Sequence, residues 1–309
     1  MRTPAVNQAL PRQLLAPRHW PAWLGIGLFA ILAWLPWRTR RWLGKQLGKL
    51  FYTYHAKRRK VVQINLHLCF PDLAETQREQ LAQQHFQEYA HALLDYSLLF
   101  FRSRRWLYQR CRIQGQEHID NAIAAGQNII LQAAHSVWLE FAGAALGQHY
   151  RMVGFYKPLP NPVADWLVAR SRWRDADVLM TRADGMMKLV RVLEPGRLVF
   201  FMPDEDHGLK NSVFTPFFNI PKATLTTPAR LTKLGKAASI PVMAYFNADD
   251  GCYEIVLQPA MPDFPGNDEQ DNAARVNAEL EHLIRRGIHQ YMWTLKLFRT
   301  RPAREAKLY

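Results

Sequence analysis

The stretch Asn128-Ile-Ile-Leu-Gln-Ala-Ala-His135-Ser-Val-Trp-Leu-Glu140-Phe-Ala-Gly-Ala-Ala-Leu146 decides the fold. An apolar run stops at a histidine, a carboxylate follows five residues later, and a helix-like segment begins. A short apolar run ending in polar residues reads as a buried strand. A strand feeding a helix is the repeating unit of α/β sheets, which place their chemistry at the C-terminal ends of strands. On one continuous helix, residues five apart sit roughly 140° apart at 3.6 residues per turn. His135 and Glu140 can therefore meet only if the backbone turns between them.

The same alternation continues downstream. Apolar strand candidates are 128–134, 151–156, 197–202, 240–246 and 253–258, and helical patterns lie at 137–147, 161–173, 183–194, 223–236 and 269–288. Strand and helix taking turns argues for an α/β protein with a mixed, mainly parallel sheet flanked by helices. Upstream, Asp72-Leu-Ala-Glu75 has the pattern of a capping box. Leu81, Tyr89, Leu93 and Tyr96 then mark one face of a helix running to about Phe100. No internal repeat or low-complexity linker divides the chain.

Residues 1–19 read as a poorly structured leader. Trp20 to Trp37 is eighteen residues without a charge, about 27 Å of helix against a bilayer core near 30 Å. Trp20, Trp23, Trp34 and Trp37 lie near its ends, as interfacial aromatics do. Arg38, Arg40, Arg41, Lys45 and Lys49 follow, and no small-residue cleavage site does. The reading is a signal anchor over residues 1–37 with a cytoplasmic body. A buried helix of a soluble core fits the same stretch. Residues 38–60 carry Leu43, Leu47, Leu50, Phe51 and Tyr54 at spacings of three and four, then Lys57-Arg58-Arg59-Lys60. That pattern suits an amphipathic helix on a membrane surface, or an ordinary solvated helix end. Residues 38–309 then form a single domain.

Composition narrows the partners. The 309 residues are 49% hydrophobic, enough for a sizeable core, and carry 40 Lys+Arg against 26 Asp+Glu, a net charge of +14. Such an excess implies an anionic partner: nucleic acid, an anionic membrane or an acidic protein. No RNP, helix-turn-helix or zinc-finger pattern supports nucleic acid. Cys69, Cys111 and Cys252 are scattered, with no CxxC, so neither a disulfide framework nor a zinc knuckle is expected.

Four clusters could carry chemistry. A neutral His135 can remove a hydroxyl proton near pH 7, and Glu140 can orient it. Ser136 lacks a Gly-x-Ser-x-Gly elbow and is not read as a nucleophile. Lys157, Arg170, Arg172 and Arg174 could bind phosphate or polarise a carbonyl, Arg170 and Arg174 sharing a helix face that Arg172 does not. Pro203-Asp204-Glu205-Asp206-His207-Gly208 ends another strand candidate, and no second ligand group at a recognised spacing makes it a metal site. Asp204 there suits an orienting or charge-balancing role. Gln290-Tyr-Met-Trp293 through Pro302 interleaves aromatics with cations, suited to membrane or substrate contact or to closing the core.

His135-x4-Glu140 resembles the HX4(D/E) box of the lysophospholipid acyltransferase superfamily. Longer strings are similar to one branch, the late acyltransferases of lipid A biosynthesis (lauroyl/myristoyl type). They are Ala16-Pro-Arg-His-Trp-Pro-Ala-Trp-Leu-Gly-Ile-Gly, Asn65-Leu-His-Leu-Cys-Phe-Pro-Asp72, Pro203-Asp-Glu-Asp-His-Gly208, Ser212-Val-Phe-Thr-Pro-Phe-Phe218 and Gln290-Tyr-Met-Trp293 through Thr300-Arg-Pro302. The resemblance runs from about residue 15 to the end. It implies a glycerolphosphate-acyltransferase-like fold, His135 as base and Glu140 as its partner. Arg172 and Asp204 fall at functionally important positions of the family, and Arg170 and Lys157 join them as candidate substrate-binding residues. Ser171 stands where the pattern has Gly, and Lys157 where it has Arg, keeping the charge but not the bidentate fork.

The implied reaction moves a fatty acyl group from acyl carrier protein to a secondary hydroxyl on a 3-hydroxyacyl chain of a Kdo-bearing lipid A precursor. It takes place at the bacterial inner membrane, without cofactor or metal. The implied partners are acyl carrier protein, a phosphorylated glycolipid and the inner membrane, and not nucleic acid. Two alternatives share part of this pattern: an acyltransferase acting on glycerol phosphate, an aminolipid or a mannoside, and a non-enzymatic basic protein tethered to a membrane.

Overall fold

The computed structural model of the chain describes residues 9–181, 184–303 and 305–309. Two short 3₁₀ turns, Arg12–Leu15 and Pro17–His19, stand where the leader was expected, and its residues 1–8 lie outside the described residues. Five helices follow: α1 (Trp20–Leu32), α2 (Trp37–Tyr54), α3 (Ala56–Cys69), α4 (Glu75–Phe101) and α5 (Arg104–Tyr108). The alternating part then runs β1 (Cys111–Gln114), α6 (Gln116–Ala124), β2 (Asn128–Ala133), α7 (Leu139–Leu146), β3 (Arg151–Phe155), α8 (Pro162–Trp173), β4 (Val178–Met180), α9 (Gly185–Val192) and β5 (Arg197–Phe201). It continues with β6 (Ser212–Phe217), β7 (Ile220–Leu225), α10 (Thr227–Gly235), β8 (Ala237–Asn247), β9 (Cys252–Leu257) and α11 (Glu269–Arg286).

Among the described residues, seven strands form one sheet in the order β1-β9-β8-β2-β5-β3-β4. All neighbours are parallel except β8 and β9. The mixed, mainly parallel sheet expected from the alternation is therefore present. The central strands β2, β5 and β8 are buried along nearly their whole length, as continuous apolar runs require when helices cover both faces. β2 pairs with β5 from Ile129↔Leu198 to Gln132↔Phe201, so the two strands end side by side at one edge of the sheet.

The helical pattern expected over 223–236 divides differently. Its first residues belong to β7, which pairs antiparallel with β6 in a separate hairpin, and the helix starts only at Thr227. The turn puts Phe218 at φ 49° and Asn219 at φ 63°, the conformation of a tight hairpin. The helix expected from residue 183 spans Gly185–Val192, and residue 183 itself lies outside the described residues. The N-cap of α4 is Ala74, whose N–H is accepted by Gln77, so the Asp72–Glu75 box does not form.

No helix among the described residues is long and apolar enough to cross a membrane. The uncharged stretch breaks at Ala33–Pro36, leaving 13 helical residues in α1, roughly 20 Å of rise. Arg40 fixes this break: its guanidinium is buried, donates 2.5 Å to Leu35 O and pairs with the fully buried Asp95. α1 buries no residue completely. One face packs on α4 and α8 through Trp23 against Trp166 and Phe29 against Phe100 and Phe101. The other exposes Trp20, Leu24, Leu28 and Ile31. The spanning helix expected over Trp20–Trp37 is therefore not found among the described residues, and α1 leaves an apolar face open.

α2 meets α4 through two glycines one helical turn apart. A Cβ on Gly44 would lie 2.6 Å from His91 Cα, and one on Gly48 would lie 2.6 Å from Phe86 O. Both are backbone atoms, so any side chain must push the helices apart. Alanine gains about 1 kcal/mol of helix propensity over glycine, while overpacking costs roughly 1–3 kcal/mol. Gly48→Ala should therefore lower the unfolding midpoint. Gly25→Ala on α1, whose Cβ meets nothing within 4 Å, should not. Thermal unfolding of the two variants in detergent checks this, and a raised midpoint for Gly48→Ala would mean α2 is not seated on α4.

Candidate active site

His135 leaves the C-terminal end of β2, and Asp204 follows the C-terminal end of β5. Because these strands are parallel neighbours, the two residues meet although 69 positions separate them. Asp204 is fully buried. One carboxylate oxygen takes Nδ1 of His135. The other accepts from the His135 backbone N–H at 2.8 Å and from the Tyr291 hydroxyl at 2.9 Å. Burial alone would raise the Asp204 carboxyl. The His135 imidazole and these hydrogen bonds outweigh burial and hold it below its ordinary value. An ionised carboxylate only accepts, so Nδ1 carries the proton and Nε2 is the basic nitrogen of the neutral ring.

The turn between β2 and α7 is pinned from two sides. The C-terminal segment runs alongside it, with Met292 N–H on His135 O at 2.7 Å, Val137 N–H on Gln290 O at 2.9 Å and a bridge between Ser136 and Tyr291. The Ser136 hydroxyl donates to Ala244 O on β8 and accepts from Trp138 N–H. It is a bracket for the turn, in line with its not being read as a nucleophile. Tyr291 and Trp293 are fully buried, so the aromatic–cationic cluster at the C-terminus closes the core.

Glu140 sits in the first turn of α7, where a helix end favours an acid. Its carboxylate is taken by Arg172 of α8 at 2.5 Å, and Arg172 also donates to Phe155 O. The carboxylate on Nδ1 of His135 is therefore Asp204, where the spacing of the box pointed to Glu140. Asp204, read as an orienting or charge-balancing group and also grouped with the substrate-binding residues, has no exposed surface and contacts His135, which fits the first reading. Arg170 is exposed and lies over the Trp166 ring at 5.3 Å, outside the lining of the cleft. Two residues along a helix turn a side chain by about 200°, so Arg170 and Arg172 face opposite ways. Lys157 stands exposed at the cleft rim.

The pair opens into a cleft of about 1180 Å³. One part of its lining is apolar or small: Tyr96, Leu139, Gly143, Ala144, Met152, Leu179, Phe200 and Met202. The rim carries Lys157, His207, Lys296 and Arg299. Asp206 anchors the C-terminal segment, accepting from Thr300 N–H and its hydroxyl, and Glu205 pairs with His207 at 3.3 Å. Among the described residues no group of His, Cys, Asp and Glu is placed to hold a metal ion. Tyr291 was missed as a site residue. Its signal was a tyrosine beside Met292 and Trp293, whose hydroxyl needs a partner once buried.

Residues 9–300 match the sequence profile of the bacterial lipid A biosynthesis acyltransferase family. A lipid A biosynthesis acyltransferase of Haemophilus influenzae is 36% identical over 93% of this chain and 90% of its own. A lipid A biosynthesis lauroyltransferase of Escherichia coli is 32% identical over 94% of each chain. A crystal structure of the 1-acyl-sn-glycerophosphate acyltransferase from Thermotoga maritima covers 82% of this chain and 96% of its own, at 12% identity and a TM-score of 0.35. The chain belongs to the bacterial lipid A biosynthesis acyltransferase family. Membership of that family makes the chain a lipid A biosynthesis acyltransferase.

Asp204→Asn should cost about 10²–10⁴ in turnover, the range for losing general base catalysis, because an amide N–H at Nδ1 favours the wrong imidazole tautomer. Glu140→Gln and Arg172→Gln break one pair, so the double variant should be little worse than the poorer single. Steady-state kinetics of the four proteins check both statements. Additive losses for Glu140 and Arg172 would mean the two side chains act apart.

Proposed function

We propose that the protein transfers a fatty acyl group from acyl carrier protein to a secondary hydroxyl on a 3-hydroxyacyl chain of a Kdo-bearing lipid A precursor, at the cytoplasmic face of the bacterial inner membrane. The observation that carries this reading is the buried, ionised Asp204 on Nδ1 of His135, whose ring lines a cleft that is apolar on one side and cationic at its rim. His135 Nε2 takes the hydroxyl proton as the acceptor oxygen attacks the donor thioester. The tetrahedral intermediate collapses by expelling the carrier thiolate, which takes the proton back from the imidazolium. Asp204 holds the ring and balances its transient charge. Glu140 and Arg172 tie α7 to α8 and shape the cleft wall. The apolar lining suits a hydrocarbon chain, and Lys157, Lys296 and Arg299 at the rim suit the phosphates of the acceptor.

The outer face of α1 and the basic outer side of α2 and α3, with Lys45, Lys49, Lys57 and Arg58 exposed, support a seat in the membrane interface rather than across it. The net charge of +14 supports an acidic donor protein as well as an anionic surface.

Replacing His135 by alanine should cost about 10²–10⁴ in turnover with acyl-loaded carrier protein. The efficiency kcat/KM of the native protein should fall with ionic strength more steeply than kcat, since steering by charge is screened over about 10 Å at 0.1 M salt. Near-native turnover in His135→Ala would sink the assignment of the base. Equal efficiency with acyl-CoA and acyl carrier protein at low salt would sink the donor.

A triple substitution of Trp20, Leu24 and Leu28 by serine should release the protein from anionic vesicles. Turnover on detergent-dispersed acceptor should be kept, because these side chains leave the fold's core untouched. Co-sedimentation with vesicles measures the first, and unchanged retention at high salt would show that α1 is not the membrane-seating element.

A further inference from the structure

Among the described residues Lys222 is the one fully buried lysine, and it lies on β7 of the small hairpin. Its Nζ has no hydrogen-bond partner among the described residues and sits 5.6 Å from the centre of the Phe217 ring. An ammonium in such a place costs several kcal/mol unless charge compensates it. The compensating charges are Asp204 and Asp206, the two carboxylates whose fields act on it. Neither needs Lys222 as a donor. Asp204 is filled by His135 and Tyr291, and Asp206 accepts from Gly208 N–H, Thr300 N–H and the Thr300 hydroxyl. What Lys222 brings to this loop is charge alone.

We propose that Lys222 is a positioning residue of the acyl-transfer site, a buried counter-cation that acts through Asp204 to set the pH at which His135 becomes a base. The inference rests on the reading of His135 as that base. Burial pulls the Lys222 ammonium down to about 8, with Asp204 and Asp206 opposing, so it is still charged at neutral pH. Asp204 and Asp206 lie two residues apart and both are buried; Asp204 holds His135, and the fields of both carboxylates reach the buried Lys222. The other charged or titratable groups around this loop and hairpin are Glu205 and His207 in the loop and Tyr291 behind Asp204. Arg299 lies on Asp206 O, Arg301 on Pro221 O, Glu281 at Phe218 N–H, and the Glu140–Arg172 pair across the cleft.

The sign follows from charge. Removing the Lys222 cation leaves more negative potential on the His135–Asp204 pair, so the imidazolium holds its proton to higher pH. In Lys222→Met the ascending limb of kcat/KM against pH should move up by about one unit. Activity at a fixed pH well below the native midpoint should then fall about tenfold and recover on raising the pH. Lys222→Arg keeps the charge and should leave the limb in place. If the buried methionine or arginine prevents folding, Asp206→Asn tests the same balance from the other side. One carboxylate fewer should move the limb down.

The assay uses the full-length protein with lauroyl- or myristoyl-loaded acyl carrier protein and a Kdo-bearing lipid A precursor, with His135→Ala in parallel. A uniform loss in Lys222→Met without a shift, or an upward or absent shift in Asp206→Asn, overturns the proposal. Retained turnover in His135→Ala would instead overturn the assignment of the base, and so separates the two failures.

Discussion

The structure depends first on the hydrogen bonding of one buried carboxylate. Asp204 has no exposed surface, and a carboxylate out of water is tolerated only when its oxygens are filled and its charge is answered. Three groups from two parts of the chain fill it: the backbone and ring of His135 from the end of β2, and the hydroxyl of Tyr291 from the C-terminal segment. Each demand fixes something larger. The His135 contacts need β2 and β5 as parallel neighbours with matched ends. The Tyr291 contact needs the C-terminal segment to run back along the His135 turn, and Met292, Val137 and Ser136 hold it there. One polar requirement thus ties the sheet order to the chain terminus.

A second buried charge performs the same task for the helical part. Asp95 of α4 is fully buried and receives Arg40 of α2 and the hydroxyl of Tyr253 on β9, with His91 3.3 Å away. The His91 ring lies edge-on to Trp138 and Phe246, and Trp138 precedes α7 in the His135 turn. The two glycines of α2 allow the close approach that brings Arg40 to Asp95. The apolar α1 is held against α4 and α8 by this arrangement while its outer face stays uncovered.

Much of the sheet was legible because central strands buried on both faces must be continuous apolar runs, and 128–134, 197–202 and 240–246 are such runs. The edge strands were not. β4 has three residues, and β1 alternates half-buried with exposed positions and is too short for a period to register. The β6–β7 hairpin was hidden because its turn uses Phe218 and Asn219 at positive φ instead of a glycine. The apolar positions of 223–236 also fit a helix from their first residue. For the site, spacing found His135 and the polar end of β5, but pairing depends on strand order, which no local pattern encodes. Glu140 is close to His135 in sequence and Asp204 is distant. The fold inverts which one reaches Nδ1, because α7 starts at Leu139 and turns Glu140 toward Arg172. No spanning helix forms over Trp20–Trp37 because the Ala33–Pro36 turn is held by Arg40, whose partner Asp95 lies 55 residues further on and outside any local pattern.

The same features bear on whether the acyl group passes through the protein. A covalent intermediate needs an activated nucleophile beside the base. Ser136, the hydroxyl next to His135, is spent on Ala244 O and Trp138 N–H. Cys69 is buried, and burial raises its thiol well above the ordinary value. Burial also pushes Cys111 up to about 12, and Cys252 is raised by burial and by Asp250. A thiolate is the reactive form, so none of the three is primed. On the proposed reading, donor and acceptor must then occupy the cleft together and react directly. The cleft's volume of about 1180 Å³ lies above the roughly 300–1,000 Å³ of sites that hold one small ligand, which is consistent with that order of events.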